Sequence, residues 1–179
     1  MAHPLDWVPG PSETAYRGFL RIESRAYALP DGRPTRWDIL AGGPTVAVVA
    51  LTDEGRVVLA RQFRPGPGAV LDELPGGIID PGEDVRTAAA RELLEETGYA
   101  AGSVEVVGGT WLAGFSTIRR HAALARRCHR VAEPVRAEDE FCEAVEVPLA
   151  DFVAQVRAGA LTDPDAAYRC LDALGALGG

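Results

Sequence analysis

The chain contains no lysine, and all eighteen of its basic residues are arginine. This absence excludes catalysis through a lysine Schiff base and a phosphate-binding loop of the P-loop type, because both need a lysine. The three cysteines, Cys128, Cys142 and Cys170, lie far apart and do not combine with the three histidines at a zinc-ligand spacing. We therefore expect neither a structural zinc site nor disulfides, and we predict partly buried cysteines in a reducing compartment.

Long apolar segments are also missing from the chain. The longest apolar run, at residues 46–51, is far too short to cross a bilayer. The first ten residues lack the basic region and apolar stretch of a secretory signal. We therefore expect a cytoplasmic protein without a membrane partner.

Charge and length narrow the class of protein further. The formal net charge is −8, which argues against nucleic acid as the main partner, because binding to a phosphate backbone needs a basic surface. With 179 residues, the chain is long enough for a substantial core, and one domain is expected.

The most informative segment, residues 75–99, reads PGGIIDPGEDVRTAAARELLEETGY. In it Glu92, Glu95 and Glu96 stand at i, i+3 and i+4, so a helix places all three carboxylates on one face. Like charges on one face repel each other unless a cation lies among them. Carboxylate oxygens suit a hard ion such as Mg²⁺ or Mn²⁺. The segment therefore predicts a metal site.

Both ends of this helix are marked in the sequence. Asp84 is suited to cap the first turn, and Gly98 is suited to end the helix in a left-handed conformation. The prolines and glycines before it predict a stiff loop whose backbone can approach a ligand closely. The alternative is a solvated acidic face, but such a face normally includes several basic residues, and only Arg91 is close by.

The segment resembles the signature of the Nudix hydrolases. Every fixed position of that signature is filled, by Gly77, Glu83, Arg91, Glu92, Leu93, Glu95, Glu96 and Gly98. The final position usually holds an aliphatic residue and here holds Tyr99. The resemblance implies metal-dependent hydrolysis of a diphosphate bond.

The resemblance also implies roles for several residues of this segment. The carbonyl of Gly76 and the carboxylates of Glu92, Glu95 and Glu96 would hold Mg²⁺, with Mn²⁺ as an alternative ion. Arg91 would bridge to Glu83 and orient the neighbouring ligands. Glu95 or another carboxylate of the helix is one candidate for the group that activates water.

Outside the signature the chain is similar to the ADP-ribose pyrophosphatases and related nucleoside diphosphate sugar hydrolases. Residues 61–65 and 71–75 resemble the strand and loop that precede the signature in this branch. There Arg64 would contact a phosphate, and Glu73 would hydrogen-bond the substrate. A guanidinium suits a pair of phosphate oxygens, although from the residues alone a surface salt bridge explains Arg64 equally well.

Residues 35–38 resemble the N-terminal region that, in this branch, reaches across a dimer and stacks an aromatic ring on the base. Trp37 is the candidate for that ring, with Trp7 and Tyr16 as weaker ones, and packing in a core or interface is the alternative. Gly114 stands where branch members carry a substrate-binding turn. The proline of that turn and the acidic residue after it are missing here, which leaves room for another base or sugar.

An acidic run at residues 138–143 precedes a predicted strand, where the branch has a loop with a catalytic glutamate. Glu143 or Glu140 would fill this position, and the spacing to the strand favours Glu143. A solvated acidic loop is the alternative.

Patterns along the rest of the chain predict an α/β fold. An N-terminal β-hairpin is indicated around residues 30–32 and a second hairpin around 53–55. Further strands are predicted near 71–75, 103–111, 121–131 and 143–147, and helices at 149–157 and 164–177. The resemblance implies the Nudix fold, a mixed β-sheet sandwiched between helices. We expect a single domain, with a dimer-forming β extension at 1–42 and a catalytic core at 43–179.

The sequence therefore predicts a homodimeric hydrolase of a nucleoside diphosphate derivative. ADP-ribose, cleaved to AMP and ribose 5-phosphate, is the first candidate substrate. A GDP-sugar or a dinucleotide such as NADH is the alternative within the same chemistry. A ligand sensor of the Nudix type without catalysis is an alternative from another class of protein.

Overall fold

A computed structural model of the chain describes residues 3–135 and 141–178. In chain order, the strands described are β1 (Val8–Arg17), β2 (Arg21–Ala28), β3 (Pro34–Ala41), β4 (Thr45–Thr52), β5 (Arg56–Arg64), β6 (Ala69–Glu73), β7 (Gly76–Ile78), β8 (Tyr99–Ala100), β9 (Ser103–Trp111), β10 (Arg119–Arg130) and β11 (Glu143–Pro148). The helices described are α1 (Val85–Thr97), α2 (Leu149–Arg157) and α3 (Pro164–Ala173). No helix in these ranges is long and apolar enough to cross a membrane.

The chain divides into two units. The N-terminal unit comprises Met1–Gly43 with Trp111–Arg119, and the larger unit comprises Pro44–Thr110 with Arg120–Gly179. Nothing in the sequence indicated that residues 111–119 join the N-terminal residues. The single domain with an extension at 1–42 stays a prediction, as does the dimer-forming role of that extension.

The N-terminal unit contains a three-stranded antiparallel sheet in the order β1-β2-β3. Strands β2 and β3 form the predicted hairpin, and Gly32 supplies a left-handed turn residue with φ of 85°. Strand β1 was missed. It contains Pro9, Gly10 and Pro11, which weaken a strand pattern but are tolerated on an edge strand.

The larger unit is built on a mixed sheet in the order β11-β5-β4-β10-β8. Strand β4 runs parallel to β10 and antiparallel to β5, β6 pairs with β5, and β7 pairs with β4. The β4–β5 connection is the predicted hairpin, and its Gly55 has a φ of 73°.

Alternate residues of β4 face opposite sides of this sheet, because side chains alternate along a strand. Ala47, Val49 and Leu51 pack with side chains of α2 and α3. Val46, Val48 and Ala50 pack instead with Ala88, Ala89 and Leu93 of α1. The sheet therefore lies between α1 on one face and α2 with α3 on the other, which confirms the predicted Nudix fold.

The ends of α1 are those that the sequence predicts. The Asp84 carboxylate accepts hydrogen bonds from the N–H groups of Arg86 and Thr87, and Gly98 has a φ of 73°. Helix α3 ends at Ala173, earlier than predicted, because the chain turns at Gly175, whose φ is 65°.

Candidate active site

The three glutamates of α1 differ in their exposure. The side chains of Glu92 and Glu95 are 13% and 46% exposed, and Glu96 is buried. Helix α1 packs on the sheet through Ala89 and Leu93. Glu95 is therefore the carboxylate of the helix most open to solvent.

Arg91 connects these carboxylates to the start of the helix. Its Nε and Nη2 donate to the two oxygens of Glu83 at 3.0 and 2.9 Å, and Nη1 donates to Glu92 at 2.8 Å and to Glu95 at 3.2 Å. The Arg91 hydrogen bond holds the pKa of Glu83 below its usual value. The predicted contact between Arg91 and Glu83 is present, and the guanidinium offsets the repulsion within the acidic cluster.

The loop before α1 approaches the carboxylates through backbone atoms. A Cβ on Gly77 would lie 2.6 Å from Oε1 of Glu92, and a Cβ on Gly76 would lie 2.2 Å from the carbonyl oxygen of Val46. The Gly76 N–H donates to Oε2 of Glu96 at 2.9 Å. A Cβ at position 76 would therefore collide with backbone, and one at position 77 would displace the Glu92 carboxylate, so the loop backbone and the carboxylates line a common space.

Glu96 is a carboxyl group in an unfavourable environment for its charge. Burial raises its pKa to about 7, against the lowering effect of the Gly76 N–H, and the charge of Glu92 raises it further. Gln62 on β5 lies with its Nε2 3.5 Å from Oε1 of Glu96. A cation at this position would offset both the burial and the repulsion.

The donor set fits a hard divalent ion, since it consists of carboxylate oxygens and backbone groups. Within residues 3–135 and 141–178, however, no three acidic, histidine or cysteine side chains already form a group that could hold a metal ion. The Arg91 guanidinium binds both Glu92 and Glu95. The assignment of Gly76, Glu92, Glu95 and Glu96 as metal ligands stays a prediction.

Glu143 begins β11 as an exposed residue, opposite Arg61 on β5. It borders a cavity of about 390 Å³ that is also lined by Arg61, Gln62, Phe63, Val70, Phe141 and Cys142. Gln62 in that lining also contacts Glu96, so the two glutamates border the same residue. The alternative base, Glu140, lies outside the described residues.

Arg64 and Glu73 form a pair at the sheet rather than two separate substrate contacts. The Nε of Arg64 lies 3.4 Å from Oε2 of Glu73, and the Arg64 side chain is 30% exposed, whereas Glu73 has no exposed surface. Both Glu73 oxygens accept hydrogen bonds from Thr162. A hydrogen bond between Glu73 and a substrate stays a prediction.

The N-terminal unit has an aromatic cavity of about 310 Å³, lined by Trp7, Tyr27, Trp37, Ile39 and Gly114. The rings of Trp7 and Trp37 are in edge contact at 5.7 Å, as are those of Trp7 and Tyr27. Trp37 is 47% exposed. Two predicted substrate residues, Trp37 and Gly114, therefore line one cavity, and Tyr27 is a lining residue that sequence reasoning missed.

Sequence reasoning also missed an ionic cluster at the start of α3. Arg120 on β10 binds Asp163 at 2.9 Å and Asp165 at 2.7 Å, and Thr110 donates to Asp165. Arg120 is thus paired with two carboxylates of the turn and first residues of α3. Arg119 instead stacks on the ring of Trp111 at 4.6 Å.

The family model of the NUDIX domain matches residues 41–168. The chain belongs to the Nudix family. It is a Nudix hydrolase, as the signature predicts, and Nudix hydrolases are generally dependent on a divalent metal ion.

The similar proteins include a member of the branch that the sequence indicates. An ADP-ribose pyrophosphatase of Bacillus subtilis (strain 168) is 34% identical over 142 residues, covering 78% of this Nudix chain and 77% of the relative. A methanol dehydrogenase activator of Bacillus methanolicus is 31% identical over 136 residues, covering 72% and 71%. A solved ADP compounds hydrolase superposes with a TM-score of 0.76 at 22% identity, covering 94% of this chain and 97% of that one. This last similarity shows the shared Nudix fold.

Proposed function

We propose that the protein hydrolyses the pyrophosphate bond of a nucleoside diphosphate derivative, with ADP-ribose as the first substrate and AMP and ribose 5-phosphate as products. The observation that carries this proposal is the acidic face of α1 beside the glycine loop, where Glu92 and Glu96 meet the backbone of Gly76 and Gly77. The similarity to an ADP-ribose pyrophosphatase at 34% identity supports the choice of substrate.

The metal ligands in this proposal are the carbonyl of Gly76 and the carboxylates of Glu92, Glu95 and Glu96. Mg²⁺ is the proposed ion, and Mn²⁺ is the alternative. When bound, such an ion supplies positive charge for the diphosphate and makes a water molecule more acidic. Arg91 holds Glu92 and Glu95 in place through its fork to Glu83.

Glu143 is the proposed general base. Its position at the start of β11, next to the cavity that Gln62 lines, leaves its carboxylate exposed to solvent. A carboxylate there can accept the proton of the attacking water as the bond to phosphorus forms. Glu95, the most exposed carboxylate of α1, and Glu140 are the alternatives for this role.

Substrate binding is assigned to one arginine and one aromatic cavity. Arg64 meets a phosphate, for which its guanidinium geometry is suited. The cavity lined by Trp37 and Gly114 receives the base, because an aromatic face stacks on any nucleobase. From the branch resemblance, we propose that the working form is a homodimer in which the aromatic ring serves the partner's substrate.

A substrate panel tests this function. We expect purified protein with Mg²⁺ to convert ADP-ribose into AMP and ribose 5-phosphate, identified by mass. GDP-mannose, NADH and diadenosine polyphosphates are assayed beside it. If the protein cleaves another member of the panel but not ADP-ribose, the proposed reaction stands and the proposed substrate is wrong.

A GDP-sugar or a dinucleotide is the second candidate substrate, because the chain departs from the branch at one turn. Residues 112–118 lack the proline and the acidic residue of the branch's turn, and the loop is instead tied to β3, where the Ser116 hydroxyl donates to the carbonyl of Leu40. A third outcome is tight ADP-ribose binding without turnover, which would favour a ligand sensor.

A further inference from the structure

Glu73, at the end of β6, is a fully buried carboxylate, and a distant segment of the chain holds it. Thr162, 89 residues further along the chain, donates its backbone N–H to Oε1 of Glu73 at 2.9 Å. The Thr162 hydroxyl donates to the other oxygen, Oε2. A buried carboxylate is costly unless it is paired and hydrogen-bonded, and the two hydrogen bonds from Thr162 fix the orientation of Glu73.

The other partner of Glu73 is Arg64. Among the residues that the structure describes, the buried Nε of Arg64 has no hydrogen-bond partner, and it lies 3.4 Å from Oε2 of Glu73. Because the side chain as a whole is 30% exposed, its exposed surface lies elsewhere than at Nε. Glu73 therefore contacts Arg64 on its buried side, while another part of the Arg64 side chain is exposed to solvent.

The segment that carries Thr162 is itself held to the sheet. Its neighbour Asp163 is paired with Arg120 of β10 at 2.9 Å. Burial raises the pKa of Asp163, and the charges of Arg120 and Arg64 oppose that rise whereas Glu73 adds to it. The turn before α3 thus lies beside the Arg64–Glu73 pair and is itself joined to β10 through Arg120.

We propose that Thr162 is a positioning residue for substrate binding, which acts through Glu73 to hold the guanidinium of Arg64 in the orientation that receives a substrate phosphate. This inference rests on the proposed function, because it takes Arg64 to be a phosphate contact. It also gives Glu73 a role that its burial permits.

The first test compares two substitutions of Thr162. Thr162→Val keeps the branched shape and the backbone N–H but removes the hydroxyl, whereas Thr162→Ser keeps the hydroxyl. We expect Thr162→Val to raise KM for ADP-ribose about tenfold, the usual scale for a hydrogen bond to a charged group. We expect kcat to change less than about twofold and Thr162→Ser to restore the wild-type KM, since the lost contact affects binding alone.

A double-mutant cycle separates this role from a general structural one. In an Arg64→Ala background, Thr162→Val is expected to leave KM unchanged, because the group it positions is gone. Glu73 lies between Thr162 and Arg64 in this series of contacts. Glu73→Gln therefore replaces Thr162→Val in the same cycle if Thr162→Val does not fold.

Two results would overturn the inference. One is a wild-type KM in Thr162→Val or, should that variant not fold, in Glu73→Gln. The other is the same fold-change in KM with and without Arg64. Either result, with wild-type turnover intact, would remove this inference alone. A wild-type protein that cleaves no member of the substrate panel would overturn the proposed function and the inference with it.

Discussion

At the scale of single residues, Tyr99 shows how this chain uses its departure from the family signature. The position usually holds an aliphatic residue, but here the Tyr99 hydroxyl donates to Oε1 of Glu146 on β11, whose other oxygen is bonded by Arg56 at 2.8 Å. Burial raises the pKa of Tyr99 to about 12, and the Glu146 carboxylate adds to the rise. The hydroxyl therefore joins β8, the strand that follows α1, to the strand that begins with Glu143.

Because its folded pKa is raised, neutral Tyr99 stabilises the protein most below pH 10, its ordinary pKa, and this stabilisation is lost as the pH rises through about 12. We expect Tyr99→Phe to lower the free energy of unfolding at neutral pH by about 1–2 kcal/mol. The difference from wild type should shrink between pH 10 and 12. Urea unfolding across this range measures it, and no lysine titrates there because the chain has none.

Tyr168→Phe is the matched control, since Tyr168 is an exposed tyrosine on α3. That variant should keep the wild-type pH dependence. A constant difference between wild type and Tyr99→Phe from pH 7 to 12 would contradict the account of Tyr99.

At the scale of elements, the glycine loop packs closely against the carboxylates of α1. The loop needs glycine because a Cβ at position 77 would lie 2.6 Å from the Glu92 carboxylate. We expect Gly77→Ala to displace that carboxylate and to lower kcat/KM at least about tenfold, the scale seen when the support of a metal ligand is lost. Steady-state kinetics at several Mg²⁺ concentrations measures the loss.

Gly43→Ala is the control for this prediction, because a Cβ at that position meets nothing within 4 Å and its backbone is not left-handed. It should leave kcat/KM unchanged. Wild-type kinetics in Gly77→Ala would show that the carboxylate tolerates the contact and would weaken the argument from close approach.

Local signals made α1 predictable, and distant contacts were beyond sequence reasoning. Asp84 and Gly98 mark the helix ends through interactions within a few residues. The bond between Thr162 and Glu73 joins residues 89 positions apart, and no local pattern encodes it. The bond of Thr162 to Glu73 and the pairing of Arg120 with Asp163 depend on the same tertiary packing, so sequence reasoning missed both contacts.

At the scale of the whole molecule, a formal charge of −8 faces an anionic substrate. Long-range attraction cannot bring a diphosphate to such a surface, so local positive charge must do so. In the proposed function, this charge comes from Arg64 and from the divalent ion. This need for a cation follows from the composition as well as from the acidic face of α1.

The aromatic cavity of the N-terminal unit is assigned to the base. We expect Trp37→Ala to raise KM for ADP-ribose roughly tenfold or more, because stacking on an aromatic side chain is worth about 1–3 kcal/mol per base. Enzyme kinetics measures it, with Trp111→Ala, an exposed tryptophan outside the cavity, as the control.

An unchanged KM in Trp37→Ala would contradict the stacking role and favour a packing role for Trp37. Sedimentation that shows only a monomer at assay concentrations would remove the account in which the ring serves the partner's substrate.

The central claim is that the acidic face of α1 carries the reaction, and Glu96→Gln tests it most directly. The change keeps the size of the side chain and one acceptor oxygen but removes its charge. Turnover of the cleaved substrate is compared with wild type and with Glu105→Gln, an exposed glutamate on β9. We predict a loss of roughly a hundredfold or more in Glu96→Gln, an intact fold by circular dichroism and full activity in Glu105→Gln. Full activity in Glu96→Gln would contradict the site.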